Sequence, residues 1–202
     1  PSRFPMDESM IHESPPHHSN EGYAYAKRML ELQCRQYNKA YGSEYICVIP
    51  VNLYGPYDNF SIKNGHVIPA IMNRFHGEKA KKDGKFTVYG TGKAYRQFLF
   101  AKDFAKIMCD VLLDKKYDNT EPLICCNDET TIKEMVGSLV DAMDISKDKL
   151  EWDTNKSDGC MKKTVDNGKL YKYYPGFKFT SLQDGLKETY KWFCDNQTTL
   201  RQ

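Results

Sequence analysis

Tyr23 and Lys27 stand one helical turn apart and form the pair with the clearest chemical potential in this sequence. Side chains four residues apart lie next to each other on a helix, so the lysine ammonium can stabilise the phenolate of the tyrosine. The tyrosine can then donate and recover a proton, which is the acid–base chemistry of carbonyl reduction. The same spacing recurs at 89–93 and 174–178, where intervening glycine and proline residues predict turns instead of a helix.

The element that must position this pair is a helix predicted over residues 20–41, with polar cap residues before it and a glycine after it. Its apolar residues form two stripes on nearly opposite sides, separated by a polar flank. The first stripe contains Tyr23, Lys27, Leu30, Cys34, Tyr37 and Tyr41, the second contains Tyr25, Met29 and Leu32, and the flank contains Arg28, Glu31 and Arg35. One stripe must pack on the parent sheet of the longer protein to place Tyr23. The other then requires either a second copy of the chain or the loop predicted for residues 1–18.

The charge balance, the cysteine spacing and the lengths of the apolar runs each exclude some classes of partner or site. The 202 residues carry 29 basic and 27 acidic side chains, and this balance gives no electrostatic reason to expect nucleic acid or a membrane as a partner. The seven cysteines are irregularly spaced and show no zinc-binding pattern, so we expect no metal site and a reducing, cytoplasmic location. No apolar run approaches the roughly 20 residues that a membrane-spanning helix needs.

Strand-like and helix-like segments alternate along the chain, which predicts an α/β fold. Strands are expected near 45–54, 86–89, 96–100, 122–126 and 150–152, and helices near 20–41, 66–77, 102–113, 131–143 and 181–198. The apolar run 45–54 is typical of a buried parallel strand. No strand–glycine loop–helix unit that could hold a dinucleotide pyrophosphate occurs in these residues. We therefore expect the chain to be the C-terminal portion of a longer α/β protein.

Several motifs resemble those of the extended short-chain dehydrogenase/reductase superfamily: Pro5-Met-Asp-Glu8, Gly22-Tyr-Ala-Tyr-Ala-Lys27 and Pro50-Val-Asn-Leu-Tyr-Gly-Pro56. Within it, further motifs are similar to the GDP-L-fucose synthase family, namely Tyr57-Asp-Asn-Phe60, Gly65-His-Val-Ile-Pro69, Val88-Tyr-Gly-Thr-Gly92, Arg96-Gln-Phe98 and Lys156-Ser-Asp-Gly159. The resemblance implies a Rossmann-like parallel sheet with a smaller α/β substrate lobe. Residues 1–60 are then the C-terminal part of the NADP-binding domain, without its glycine-rich half. Residues 61–202 form mainly the GDP-sugar lobe, with some elements returning to the Rossmann sheet.

The resemblance also implies roles around the cofactor NADP(H). Tyr23 donates a proton to the C4 oxygen during hydride transfer, and Lys27 binds the nicotinamide ribose. The residues expected beside the nicotinamide are Pro50, Val51, Asn52, Leu53 and His66. His66 is in addition the expected general acid for proton transfer at a sugar carbon, although a histidine here could simply cap its helix. The cysteine and serine that complete the family's set have no counterpart in this chain.

For the GDP-sugar substrate, the resemblance implies binding by Val67, Arg74, Tyr89, Arg96, Asp158 and Lys163. Cations suit the two phosphates, Asp158 can accept from guanine or sugar hydroxyls, and Tyr89 stands where the family often has tryptophan. Taken singly, each of these charges could equally be a solvated surface residue.

The expected function is 3,5-epimerisation of GDP-4-keto-6-deoxy-D-mannose followed by NADPH-dependent 4-reduction, in a homodimer paired through the helix 20–41. The 202 residues alone are expected to be inactive. One alternative is an epimerase, dehydratase or reductase for another nucleotide sugar. The Gly-His-Val-Ile-Pro motif disfavours it, because an enzyme without a 3,5-epimerisation step needs no general acid at this histidine. The other is a non-catalytic scaffold related to these reductases.

Overall fold

Helices and strands alternate along the chain in the computed structural model, which describes residues 3–81, 83–114, 116–118 and 121–200. The helices are α1 (Glu21–Tyr41), α2 (Val67–Lys79), α3 (Ala101–Asp114), α4 (Ile132–Ala142), α5 (Gly168–Tyr173) and α6 (Leu182–Asp195). The strands are β1 (Val48–Pro50), β2 (Asn52–Tyr54), β3 (Phe86–Tyr89), β4 (Tyr95–Arg96), β5 (Phe98–Phe100), β6 (Leu123–Cys125), β7 (Thr130–Thr131) and β8 (Leu150–Asp153). The predicted α/β class is confirmed. Helix α5 falls in a stretch where the sequence predicts no element.

The prediction of one continuous strand over 45–54 is wrong, because the strand is interrupted at Val51. Its first part, β1, pairs in parallel with β6, and its second part, β2, pairs in parallel with β5. Pro50 has no amide hydrogen to give to a ladder, and the next amide, that of Val51, still donates to the Cys125 carbonyl at 3.2 Å. The chain therefore changes strand neighbour at the residues that were expected to flank the nicotinamide.

The strand predicted over 96–100 is divided in the same way, at Gln97. On one side β4 pairs with β7 in antiparallel orientation, and on the other β5 pairs with β2. The third parallel pair joins β3 to β8. Most partners are far apart in sequence, so local patterning gives the position of each strand but not its neighbour.

Two clusters of buried side chains hold these elements together. The larger lies among α2, α4, α6 and strands β3 and β5, and includes Phe60, Met72, Phe75, Met135, Leu139, Leu186 and Phe193. The smaller lies beside α3, α5 and β6, and includes Leu99, Ile107, Val111, Leu123 and Leu170. A complete capping box between Thr131 and Glu134 begins α4. Within the described ranges, every helix is too short or too polar to cross a bilayer.

Helix α1 lies at the periphery, and neither of its apolar stripes is buried. Tyr23 is 63% exposed and Met29 is 53% exposed, so no described sheet covers the first stripe and the N-terminal loop does not cover the second. The one buried α1 residue is instead Glu31, from the polar flank, at 5% exposure. Neither stripe packs on a sheet formed by the described residues, and the expectation that one stripe packs on the parent sheet stays a prediction.

Glu31 attaches α1 to the preceding loop. Its carboxylate accepts from Nε2 of His12 at 2.6 Å and from Nε of Arg35 at 3.1 Å. Burial by itself raises the pKa of the Glu31 carboxyl, but the hydrogen bonds from His12 and Arg35 outweigh it, and the net pKa lies below its ordinary value. The ionised carboxylate is thus the form that this contact stabilises.

Candidate active-site cleft

A cleft of about 890 Å³ opens where β1 and β2 end, which is where ligands bind in open α/β sheets. Its lining consists of Met6, Asn20, Tyr23, residues 50–58, His66, Gln97, Ala101, Lys163 and Val165. Side chains from five separate parts of the chain thus meet in one cavity. Among them are Tyr23, His66 and the segment 50–53, which the sequence nominates for catalysis and cofactor binding.

Tyr23 sits in the first turn of α1, because Glu21 begins the helix only two residues earlier. The Nζ atom of Lys27 lies 5.6 Å from the centre of the Tyr23 ring, which is the side-by-side arrangement that the spacing predicts. Lys27 itself is exposed and is not among the described residues that line the cleft. The tyrosine therefore meets the cavity directly, and the lysine stands next to it.

His66 occupies the N-cap position of α2 with an extended backbone, at φ −67° and ψ 169°. Its side chain makes no capping hydrogen bond. His66 therefore occupies the cap position, but its imidazole does not cap the helix. The imidazole is exposed in the cleft. The amide groups in the first turn of α2, with the positive end of the helix dipole, lie beside it.

A second pocket, of about 390 Å³, adjoins the cleft, and Asn52 lines both. It is lined by Ile62, Val67, Ala70, Ile71, Arg74, Val88, Tyr89, Arg96, Phe98, Ile132, Ser157 and Asp158, together with Asn52. Five of the six residues nominated for substrate binding meet here, and the sixth, Lys163, lies in the main cleft. The two cavities are therefore neighbours that share Asn52.

Arg74 is a cation of this pocket that the surrounding residues hold in place. Its Nη2 donates to the Thr87 carbonyl at 2.7 Å, and its guanidinium carbon lies 5.0 Å from the centre of the Tyr89 ring. Its buried Nε has no hydrogen-bond partner among the described residues. A guanidinium held in place at the wall of a pocket suits an anionic ligand.

Asp158 has a structural task that the sequence does not reveal. Its carboxylate accepts from the amide of Thr91 at 2.7 Å and from the Thr91 hydroxyl at 2.6 Å. The hydroxyl and then the backbone hydrogen bonds lower the pKa of Asp158 from its ordinary value. The turn that it holds has Gly90 and Gly92 at φ 88° and 74°, a region open to glycine. Lone pairs remain on the carboxylate for a further donor.

Sequence reasoning missed Gln97, which is only 5% exposed and lies in the floor of the cleft. It also missed Tyr57, which lines the cleft with a left-handed backbone at φ 67°. Both residues belong to motifs already noted, but neither has a side chain whose spacing points to chemistry. The available signal for Gln97 was a glutamine inside the run 96–100 that was predicted to be a strand.

Residues 1–123 match the family model described as the NAD dependent epimerase/dehydratase family. The chain belongs to this family. Among family relatives, it is 43% identical to a GDP-L-fucose synthase of Dictyostelium discoideum over 98% of its own length and 62% of the relative's. It is 34% identical to the GDP-L-fucose synthase of Escherichia coli (strain K12), covering 99% of this chain and 64% of the relative.

Among solved structures, the family member described here resembles a GDP-L-fucose synthetase from Naegleria fowleri bound to NADP. The two share a TM-score of 0.91 and 37% identity, over 99% of this chain and 64% of that one. The Rossmann-like reductase fold expected from the sequence is therefore confirmed. The chain spans slightly less than two thirds of the length of these relatives.

Proposed function

We propose that these residues form the catalytic and sugar-nucleotide-binding part of a GDP-L-fucose synthase. The observation that carries this proposal is the pair of cavities joined at Asn52, with Tyr23 and His66 in one and Arg74 in the other. The names of the Dictyostelium and Escherichia relatives support the substrate, GDP-4-keto-6-deoxy-D-mannose. The NADP bound to the Naegleria protein supports the cofactor.

The cleft fits the nicotinamide end of that cofactor. The change of strand neighbour at Val51 leaves residues 50–53 lining the same cavity as Tyr23. Lys27, whose Nζ lies 5.6 Å from the centre of the Tyr23 ring, is proposed to bind the nicotinamide ribose. When bound, NADPH supplies the hydride to C4 of the sugar. The chain's own contribution is to hold the C4 carbonyl against Tyr23, to give its oxygen the phenolic proton, and to stabilise the resulting phenolate with Lys27.

Epimerisation is proton chemistry at the two carbons beside the C4 ketone. A carbon next to a ketone loses its proton more readily, because the carbonyl delocalises the negative charge that remains. In the proposal, the His66 imidazole, which is exposed in the cleft, returns a proton to the deprotonated carbon from the opposite face. The family resemblance assigns the partner base to a cysteine upstream of these residues.

The second pocket is proposed to hold the nucleotide. Arg74 and Arg96, with Lys163 in the adjoining cleft, bind the diphosphate. Tyr89 stacks on the guanine, Val67 contacts the substrate through its exposed side chain, and Asp158 accepts from guanine or a sugar hydroxyl. In this proposal residues 1–60 contribute to the NADP-binding domain. Residues 61–202 contribute mainly to the GDP-sugar lobe, with some of their elements in the Rossmann sheet.

An assay of two proteins tests the function. The 202 residues alone should bind GDP without oxidising NADPH. A chimera that places them behind the N-terminal part of the Dictyostelium relative should convert GDP-4-keto-6-deoxymannose to GDP-fucose with consumption of NADPH. A chimera that folds and binds NADPH but acts only on sugars of another nucleotide would reject the proposal in favour of a different nucleotide-sugar enzyme.

We also propose a cytoplasmic homodimer that pairs through α1. The exposed second stripe supports it: Tyr25, Met29 and Leu32 line a cavity of about 440 Å³ with residues 12–15, and neither Tyr25 nor Met29 is covered. A symmetric contact between two copies of α1 would bury this stripe. The alternative was that the N-terminal loop of the same chain covers this stripe. That loop lies beside the stripe and leaves Tyr25 and Met29 exposed.

A further inference from the structure

Gln97 makes an unusual set of contacts beneath the main cleft. Its Nε2 donates to the backbone carbonyls of Val165 and Asn127, both at 2.9 Å. Its Oε1 accepts from the Val165 amide at 2.8 Å. The side chain thus exchanges two hydrogen bonds with a single residue, as one strand does with the next in a ladder.

This exchange fixes the segment that carries Lys163. On the far side of the segment, the Met6 amide donates to the Thr164 carbonyl at 2.9 Å, and the Asp166 amide donates to the Met6 carbonyl at 2.7 Å. Val165 is therefore held between the backbone of Met6 and the side chain of Gln97. Because Thr164 is buried, the neighbouring Lys163 is directed to the exposed side, in the wall of the cleft.

Gln97 reaches the other half of the ligand surface through its backbone. Its carbonyl accepts from Nδ2 of Asn52 at 2.9 Å, and Asn52 lines both cavities. One buried residue therefore connects the Lys163 segment to the junction of the two pockets. The distance between those two ligand-contacting regions depends on where Gln97 lies.

We propose that Gln97 is a positioning residue that holds the Lys163 ammonium at the place where the diphosphate of the substrate binds. The identity of that ligand rests on the proposed function. Lys163 is exposed and has no ion pair within the described part of the chain, so its own side-chain contacts do not fix it. The backbone anchors on either side of it take that role.

The first test needs no ligand. Gln97→Met keeps the length of the side chain and removes its hydrogen bonds to Val165 and Asn127. In hydrogen exchange on the 202-residue chain, the Val165 amide should exchange at least about tenfold faster in this variant, because Gln97 Oε1 is its acceptor. Unchanged exchange at residues 163–166 would overturn the proposal.

Asn38 provides a matched control, because its amide also exchanges two hydrogen bonds with one residue, Tyr45, at 2.8 and 2.9 Å. Asn38 lies on α1, fifteen positions beyond Tyr23 in the sequence and outside the cleft lining. Asn38→Leu should therefore accelerate exchange at Tyr45 and leave residues 163–166 as they are. An equal effect of both variants on the Lys163 segment would show general loosening and count against a specific role of Gln97.

The second test separates positioning from mere support of the fold. Calorimetric titration with GDP and with guanosine is carried out on wild type, Gln97→Met, Lys163→Met and the double variant. Each single variant should weaken GDP binding about tenfold and leave guanosine binding unchanged, since only the phosphates meet the ammonium. The double variant should be no weaker than Lys163→Met alone, because both changes remove the same contact.

Other outcomes are equally decisive. Losses that add to about a hundredfold in the double variant, or an equal loss for guanosine, would overturn the positioning role. If wild-type chain binds no GDP, the proposed function fails. The exchange experiment then still decides whether Gln97 holds the Lys163 segment in place.

Discussion

Replacing Arg74 with methionine should weaken GDP binding strongly and the fold only slightly. A hydrogen bond from a charged donor contributes about 1.5–3 kcal/mol, so loss of the contact between guanidinium and phosphate should weaken binding about 10- to 150-fold. The structure explains why this cation is well placed: Thr87 and Tyr89 hold its guanidinium in the wall of the second pocket.

Those same contacts mean that the substitution has a cost in stability, which the sequence alone would not indicate. The bond from Arg74 to the Thr87 carbonyl and the stacking on Tyr89 are both lost. Removing the unpartnered Nε from a buried site offsets part of this. A net loss of about 1 kcal/mol corresponds to roughly 2–4 °C in Tm for a domain of this size.

The assay combines calorimetric titration of GDP with thermal melting, on the 202-residue chain. Arg74→Lys should give an intermediate result, because a lysine keeps the charge but cannot bond Thr87 and a phosphate at once as the planar fork can. Lys79→Met is the matched control: Lys79 lies on the same helix and donates to the Met143 carbonyl at 2.6 Å, outside the pocket. It should lower Tm by a similar amount and leave GDP binding intact.

One result would refute the reasoning. If Arg74→Met melts at the lower temperature but binds GDP as tightly as wild type, Arg74 serves only to connect α2 to β3. The pocket would then need another explanation. A parallel loss of affinity in Lys79→Met would point instead to a general electrostatic effect of helix α2.

Further expectations concern catalysis, assembly and pH. In the active chimera, Tyr23→Phe should abolish NADPH oxidation but retain solvent exchange at C3 and C5, whereas His66→Gln should impair that exchange first; a parallel loss of both activities would reject the separate roles. Substituting both Met29 and Leu32 with Glu should convert the dimer to a monomer in light scattering, and an unchanged mass with normal activity would exclude α1 as the interface. Because the folded pKa of Glu31 is lowered, its stabilisation is present above the ordinary carboxyl pKa and is lost as pH falls through the lowered value. Denaturant unfolding should therefore show a smaller loss of stability on acidification for Glu31→Gln than for wild type, and identical pH profiles would contradict this.

Features that depend on neighbouring residues were predictable from the sequence. The bounds of α1, the pairing of Tyr23 with Lys27, the capping box of α4 and the turn at 90–92 all arise from contacts within about four residues. The alternation of these elements was enough for the α/β class. The motif series was enough to indicate the family.

Tertiary structure decided the features that depend on residues far apart in the chain. Asn52 bonds to a residue 45 positions away, and Gln97 bonds to one 68 positions away. No periodicity encodes such a partner, so the divided strands and the cleft floor were not predictable. Glu31 shows the same limit, because hydrophobicity alone predicts an exposed carboxylate. Its burial depends on His12, a loop residue that the fold brings to the helix from 19 positions away.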